Sequence, residues 1–423
     1  MDRKMKEKNG GKRRNNPSSF LVLKSGHVVD PANGINRVMD VVVGNGKVHR
    51  IEKDISPPEG SLVINVKEMY VTPGLFDIHT HLFATTGIRD AWAGDYSVLP
   101  DGFSFRTGVT SMVDAGSAGW KNFETFRYTV IDRVKTRVFA FLNIANLGMV
   151  SEANEQDEAD FMPDRVCETA SKHRDVIVGV KAAHYKAPDW TQIDRALEAG
   201  EKASLPVMVD FGHFRRERPY WKLVTERLRP GDISTHCFRG PIPFVDEKGR
   251  LYRYLLDARA KGVLFDVGHG EGSFLFRNAV PAMRNNFYPD TISTDLHVLS
   301  MNSFMMDMPT TMSKFLAMGM SIEETVLRST ALPARVTGHP ELGNLAPGAH
   351  GDIAVWNLLE GNFAFGDAKG GRISGNRRFF CELTIKEGEI VWDWNALSAV
   401  PYEKLGQNYG SREGVDFLVL PDE

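Results

Sequence analysis

Three textures follow one another along the chain. From Phe20 to about Pro73 the runs FLVLKSGHVVD, VMDVVVGNGKVHRIEKDI and LVINVKEMYVTPG set β-branched residues at every second position, the period at which side chains share one face of a strand. Asn45-Gly46 is a hairpin signal. This stretch predicts a small antiparallel β unit.

From about Val71 short apolar strands alternate with longer helical patterns. The strand candidates are GLFDIHTH, GVTSMVDAG, RVFAFLNIA, VIVGVKA, LPVMVDFG, GDISTHCF, GVLFDVGHG and DTISTDLH, and WTQIDRALEAGEKA and LLDARAKG are among the helical stretches between them. Strands roughly thirty residues apart mark βα units. The predicted fold class is therefore α/β, a (β/α)8 TIM barrel. Past Gly343 the texture turns β-rich again in LGNLAPGAHGDIAVWNL and FFCELTIKEGEIVWDW. The two β flanks are expected to join as one small discontinuous β-sandwich domain. The expected division is a disordered basic tail over 1–19, a β domain over 20–72 and 343–400, a barrel over 73–342, and a C-terminal extension over 401–423.

Composition narrows the function classes. With 51 basic and 54 acidic residues the net charge is −3, so no broad nucleic-acid or anionic-membrane surface is expected. The first 19 residues carry seven Lys/Arg and two acids, which leaves −8 on the rest. No run approaches the roughly 18 apolar residues of a membrane span. The three cysteines, Cys167, Cys237 and Cys381, form no Cys-x-x-Cys pair, which suits a reducing cytoplasm. A homo-oligomer is the default expectation.

Histidines and acids at strand ends carry the chemistry. In Asp77-Ile78-His79-Thr80-His81 the two imidazoles lie two residues apart, so both point to one face and can share a metal. Strand C-termini are where barrels place their active sites. Lys181 lies in the apolar strand Val178-Gly179-Val180-Lys181-Ala182, where an unpaired ammonium is costly. As a neutral amine it could take up carbon dioxide and become a carbamate bridging two metals; the alternative is a lysine reaching solvent at the strand mouth. His236 and Asp295 end the sixth and eighth strands. Each alone could be a satisfied polar residue capping a barrel layer, but with His79 and His81 they supply N and O donors that suit zinc.

His269 and His297, just past strands seven and eight, are candidate substrate contacts or solvent-facing loop histidines. His184 and Tyr185 could also face the pocket, and Arg239 could grip a substrate carboxylate or lie in a surface loop. Gly268-His269-Gly270-Glu271-Gly272 lacks the Gly-Lys-Ser/Thr of a phosphate loop, and no Gly-x-Ser-x-Gly elbow occurs. The Met-rich stretch Met301–Met308 reads as a packed helix start or a pliable apolar wall.

Val71-Thr72-Pro73-Gly74-Leu75-Phe76-Asp77-Ile78-His79-Thr80-His81 and Gly343-Asn344-Leu345-Ala346-Pro347-Gly348-Ala349-His350-Gly351-Asp352-Ile353 resemble signatures of the amidohydrolase superfamily. Thr235-His236-Cys237-Phe238, Gly268–Phe274 and Ser293–His297 resemble its dihydroorotase-like amidohydrolase/deacetylase branch. The resemblance runs from about Phe20 to Trp394. It implies two zinc ions: His79, His81 and Asp295 on one, His236 and a fifth-strand histidine on the other, carbamylated Lys181 between them. It also implies a hydroxide that attacks a carbonyl carbon of a small-molecule substrate, with Asp295 as general base and acid. Where the family carries the fifth-strand histidine, this chain has Asp210. The candidates there are Asp210 itself as ligand, His213 swinging in, or a second metal that is weak or absent. The expected activity is hydrolysis of an N-acyl amide, cyclic amide or ester; a one-metal deaminase and a non-catalytic assembly protein are the alternatives.

Overall fold

The computed structural model describes residues 20–406 and 409–410. The expected tail over 1–19 and much of the expected extension over 401–423 lie outside these residues. The chain begins with β1 (Leu21–Asp30), β2 (Ile35–Gly44), β3 (Lys47–Glu52), β4 (Leu62–Asn65) and β5 (Tyr70–Pro73). It continues with the barrel strands β6 (Leu75–Thr80), β7 (Val109–Gly119), β8 (Arg137–Asn143), β9 (Ile177–Ala183), β10 (Val207–Asp210), β11 (Ile233–Ser234) and β12 (Leu264–Phe265). It returns to β structure in β13 (Ile353–Gly366), β14 (Arg372–Lys386) and β15 (Glu389–Asp393).

Both β flanks enter one sheet, ordered β15-β14-β13-β5-β1-β2-β3, with β4 also on β1. The N-terminal unit was expected to be antiparallel, but the sheet is mixed: β1 pairs antiparallel with β2 and parallel with β4 and β5. Alternation alone fixes which face a residue takes, not the direction of the neighbouring strand. The hairpin at Asn45-Gly46 joins β2 to β3 with both residues left-handed, φ 50 and 74°, as a type I′ turn requires. Leu23, Val41, Val43, Val71, Val355 and Leu383 form this sheet's buried core.

The barrel strands run parallel in the order β12-β11-β10-β9-β8-β7-β6. The eighth expected strand does not form a ladder. It closes the barrel through single bridges, Thr291 to Asp266 on one side and Leu296 to Thr80 on the other. Between them Asp295 adopts φ 53°, which no strand can absorb. Ser293 and Thr294 here spend their hydroxyls on Asp266 and Asp77. Helices cover the outside, including Thr191–Ala203 and Arg253–Lys261. The Met-rich stretch ends in a helix, Met308–Ala317, capped by the Asp307 side chain on Thr310 N–H. The last barrel strands, two residues each, leave the following residues free to turn inward over the strand ends. No helix among the described residues is long and apolar enough to cross a membrane.

Candidate active site

The barrel delivers its polar residues to one end. His79 and His81 come from the end of β6, Lys181 from β9 and Asp210 from β10, while His236 follows β11 and Asp295 lies in the closing segment. All are buried, Lys181 completely. Three residues here, His184, His236 and Asp295, hold left-handed backbones with φ 53–56°. Such strain costs about 1–3 kcal/mol per residue and is kept where the surroundings enforce it.

His79, His81 and Asp295 form one cluster whose ligand atoms all lie within 4.8 Å of one another. His81 Nε2 is 3.2 Å and His79 Nε2 3.6 Å from Asp295 Oδ1. Donors on a tetrahedral zinc with bonds of about 2.0 Å sit about 3.3 Å apart. The hydrogen bonds fix which atom of His79 is free. Thr235 Oγ1 donates to Asp266 Oδ2 at 2.7 Å, so it accepts from His79 Nδ1 at 2.8 Å. The proton therefore sits on Nδ1 and the Nε2 lone pair points into the cluster. Burial holds the His79 imidazole neutral, its pKa pushed down to about 3, as a metal ligand requires. This donor set fits a divalent metal.

Lys181 Nζ stands 3.3 Å from His79 Nε2 and 3.5 Å from Met208 Sδ. Among the described residues no carboxylate comes within ion-pair distance of it. Burial lowers its pKa, which favours a neutral amine with an available lone pair. Gly116 makes the channel for this side chain: a Cβ there would lie 2.6 Å from Lys181 Cγ.

A second pair, His236 and Asp210, lies close by, the His236 ring centroid 4.8 Å from that of His79. His236 Nδ1 donates to the Gly268 carbonyl at 2.6 Å, which leaves Nε2 facing Asp210 Oδ2 at 3.2 Å. A lone pair and a carboxylate oxygen at that distance repel unless a cation, proton or metal, joins them. Asp210 has further partners. Its Oδ1 accepts from Arg239 Nη1 at 2.6 Å, and its Oδ2 is 3.3 Å from His184 Nε2. Burial opposes ionisation of Asp210, but Arg239 and His236 outweigh it and hold the carboxyl well below its ordinary value.

The four residues expected at the substrate are spread differently. Arg239 spends its donors on Asp210 and Ser273. His184 bridges Glu155 at 2.8 Å and Asp210; burial disfavours its charge, yet the Glu155 and Asp210 carboxylates raise its pKa to about 10. His297 accepts from Ser300 N–H on Nδ1 and turns Nε2 toward Asp295 Oδ2, 3.8 Å away. His269 is fully buried, pairing with Gly270 O and with Lys314 Nζ at 2.6 Å while stacked on Phe274. His213 contributes its carbonyl to Arg218. The glycine run makes room for all of this. A Cβ at Gly268 would come within 3.0 Å of Thr235 Oγ1, His236 Nδ1 and His79 Nδ1, and one at Gly270 within 2.5 Å of Asp295 Oδ2.

The model of the amidohydrolase family matches residues 276–390. A deacetylase of Brucella anthropi is 33% identical over 364 residues, covering 83% of this chain and 87% of that protein. The chain belongs to the amidohydrolase family. It is accordingly an enzyme, a metal-dependent hydrolase of carbon–nitrogen bonds. Two solved structures superpose on this amidohydrolase over nearly their whole length. One, described as an adenine deaminase, has a TM-score of 0.80 at 25% identity, covering 89% of this chain and 100% of its own. The other, described as a dihydroorotase, has a TM-score of 0.76 at 28% identity, covering 88% and 99%.

Sequence reasoning missed the residues behind the candidate ligands in this amidohydrolase. Asp266 accepts from Thr235, Thr291 and Ser293 and lies 3.5 Å from His79 Nδ1. Its signal was a lone carboxylate at the end of the seventh strand. Glu155, buried and bonded to His184 and Asn143, comes from the short 3-10 helix Asn154–Gln156 and left no signal. Trp92, tilted against the His81 ring and edge-on to His297, is a loop residue.

Proposed function

We propose that this amidohydrolase is a zinc enzyme that cleaves an amide bond, N-acyl or cyclic, or an ester in a small molecule, with Asp295 as general base and acid. One observation carries the reading: His79, His81 and Asp295 converge at ligand spacing while Lys181 and the facing pair His236 and Asp210 stand beside them. On this reading His79, His81 and Asp295 hold one zinc. His236 and Asp210 hold the second. Lys181, carbamylated by carbon dioxide with loss of a proton, would supply anionic oxygen donors to the metals. The N and O donors suit zinc. Bound metal supplies polarisation of the carbonyl and a water acidic near neutral pH.

The chain's own residues do the rest. Asp295 takes a proton from the attacking water and returns it to the leaving nitrogen or, in an ester, oxygen. His297, its Nε2–H turned toward Asp295 Oδ2, keeps that carboxylate aimed. Trp92 packs against His81 and His297 and shields this side from solvent. The name deacetylase borne by the Brucella anthropi relative places N-acetyl compounds first among substrates to try. The three free cysteines support a reducing, cytoplasmic setting, and a symmetric homo-oligomer is the matching assembly.

The test is a hydrolysis screen over N-acyl amino acids, cyclic imides and lactones with added Zn²⁺ and bicarbonate. Turnover by the wild type and a rate lower by about 10²–10⁴ in Asp295→Asn supports the reading. Ammonia release from aminopurines without amide or ester cleavage would replace it with a deaminase. A carbamate resonance on ¹³C-bicarbonate labelling, absent in Lys181→Met, checks the lysine.

A further inference from the structure

We infer that the two metal positions are unequal, and that Arg239 sets the difference by holding Asp210 as its own partner. This rests on the metal-hydrolase reading above. The two carboxylates at the centre are differently placed. Among the described residues, Asp295 has only histidines within ion-pair distance: His79, His81 and His297. Asp210 instead gives Oδ1 to Arg239 at 2.6 Å and shares Oδ2 between His184 and His236.

Arg239 is fixed in that role. Its Nε and Nη2 reach Ser273 Oγ at 3.2 and 2.8 Å, so the guanidinium is pinned between serine and carboxylate. The three side chains close over Gly212, where an added Cβ would meet Arg239 Nη1 at 3.4 Å, Asp210 Oδ1 at 3.5 Å and His184 Cδ2 at 3.6 Å. A guanidinium does not give up its proton. A dication between Asp210 and His236 therefore sits beside a permanent positive charge, on a carboxylate already partly neutralised. In a buried site such charges are weakly screened. Among the described residues no arginine lies within ion-pair distance of Asp295. The second ion binds at least about tenfold more weakly and leaves first, and Arg239 is a positioning residue for the metal centre.

Full-length protein loaded with zinc sulfate and bicarbonate is dialysed against graded dipicolinate, and zinc per chain is read by mass spectrometry. The wild type should lose its ions in two steps. In Arg239→Gln, with Arg239→Met as a second neutral variant, the weaker step should move at least about fivefold toward the tighter one. Arg239→Lys, which keeps the charge, should stay near wild type. A wild type that keeps one ion throughout while Arg239→Gln takes two supports the inference in its extreme form. Loss of both ions together from wild type, an unchanged profile in folded Arg239→Gln and Arg239→Met, or parallel weakening of both steps in them overturns it. Failure of every form to take zinc removes the metal-hydrolase reading itself.

Discussion

His79 donates from Nδ1 to the Thr235 hydroxyl 2.8 Å away, and so keeps its Nε2 lone pair for the cluster it shares with His81 and Asp295. The direction of that bond is set one step further back, because the only hydroxyl proton of Thr235 goes to Asp266. Partners of this kind typically change metal affinity or activity by about 10–100-fold when removed. Thr235→Val should therefore weaken metal binding by roughly that factor, read by chelator competition. Asp266→Asn should do the same and lose stability as well, since three hydroxyls lose a charged acceptor.

Asp295→Asn should keep the fold and lower the hydrolytic rate by about 10²–10⁴, the range of a positioned acid–base group. Equal melting temperatures with lost turnover would support the assignment. Retained turnover would remove Asp295 from the proton path.

Gly270→Ala tests the same carboxylate from the other side. The new methyl would come within 2.5 Å of Asp295 Oδ2, at a backbone φ of 55° that disfavours any side chain. Activity should fall by about tenfold or more, because a shift near 1 Å is enough to misplace a reacting group. A crystal structure of the variant should show the Asp295 carboxylate displaced.

Lys314 makes the pH dependence specific. Burial pushes its pKa down to about 7 from the usual 10.5, with His269 Nε2 and Phe304 O as its nearest acceptors. Between about pH 7 and 10.5 the unfolded chain carries a proton on this lysine that the folded chain lacks. Its contribution to stability therefore rises with pH through that window, and below pH 7 the buried charge is felt in full. Lys314→Met should flatten the dependence of Tm on pH between 7 and 10, with its greatest gain over wild type at the low end.

Much of this site was legible in one dimension. His79 and His81 declare themselves because side chains two apart on a strand share a face, and strand ends in a barrel share a mouth. Asp210 stood out only against the family pattern, as a carboxylate where a histidine was expected. Arg239 and His184 were visible as polar residues near strand ends, but their actual partners were not. Asp210 is 29 residues from Arg239, and a pairing at that separation depends on how the following turns come back over the strand.

The sequence alone settled the strand–helix rhythm, the split of β structure to both ends, and the shared face of His79 and His81. Each follows from a local period, two for strands and 3.6 for helices, that needs no partner to be read. Tertiary structure alone decided the mixed direction of the outer sheet, the closing segment at Thr291 to Leu296 that joins by single bridges, and the left-handed backbones of His184, His236 and Asp295. It also decided which lone pairs are free. Those depend on long-range contacts such as Thr235 to His79, 156 residues apart. A hydrogen bond's direction is set by the whole chain of donors behind it, and that chain exists only once the barrel has closed.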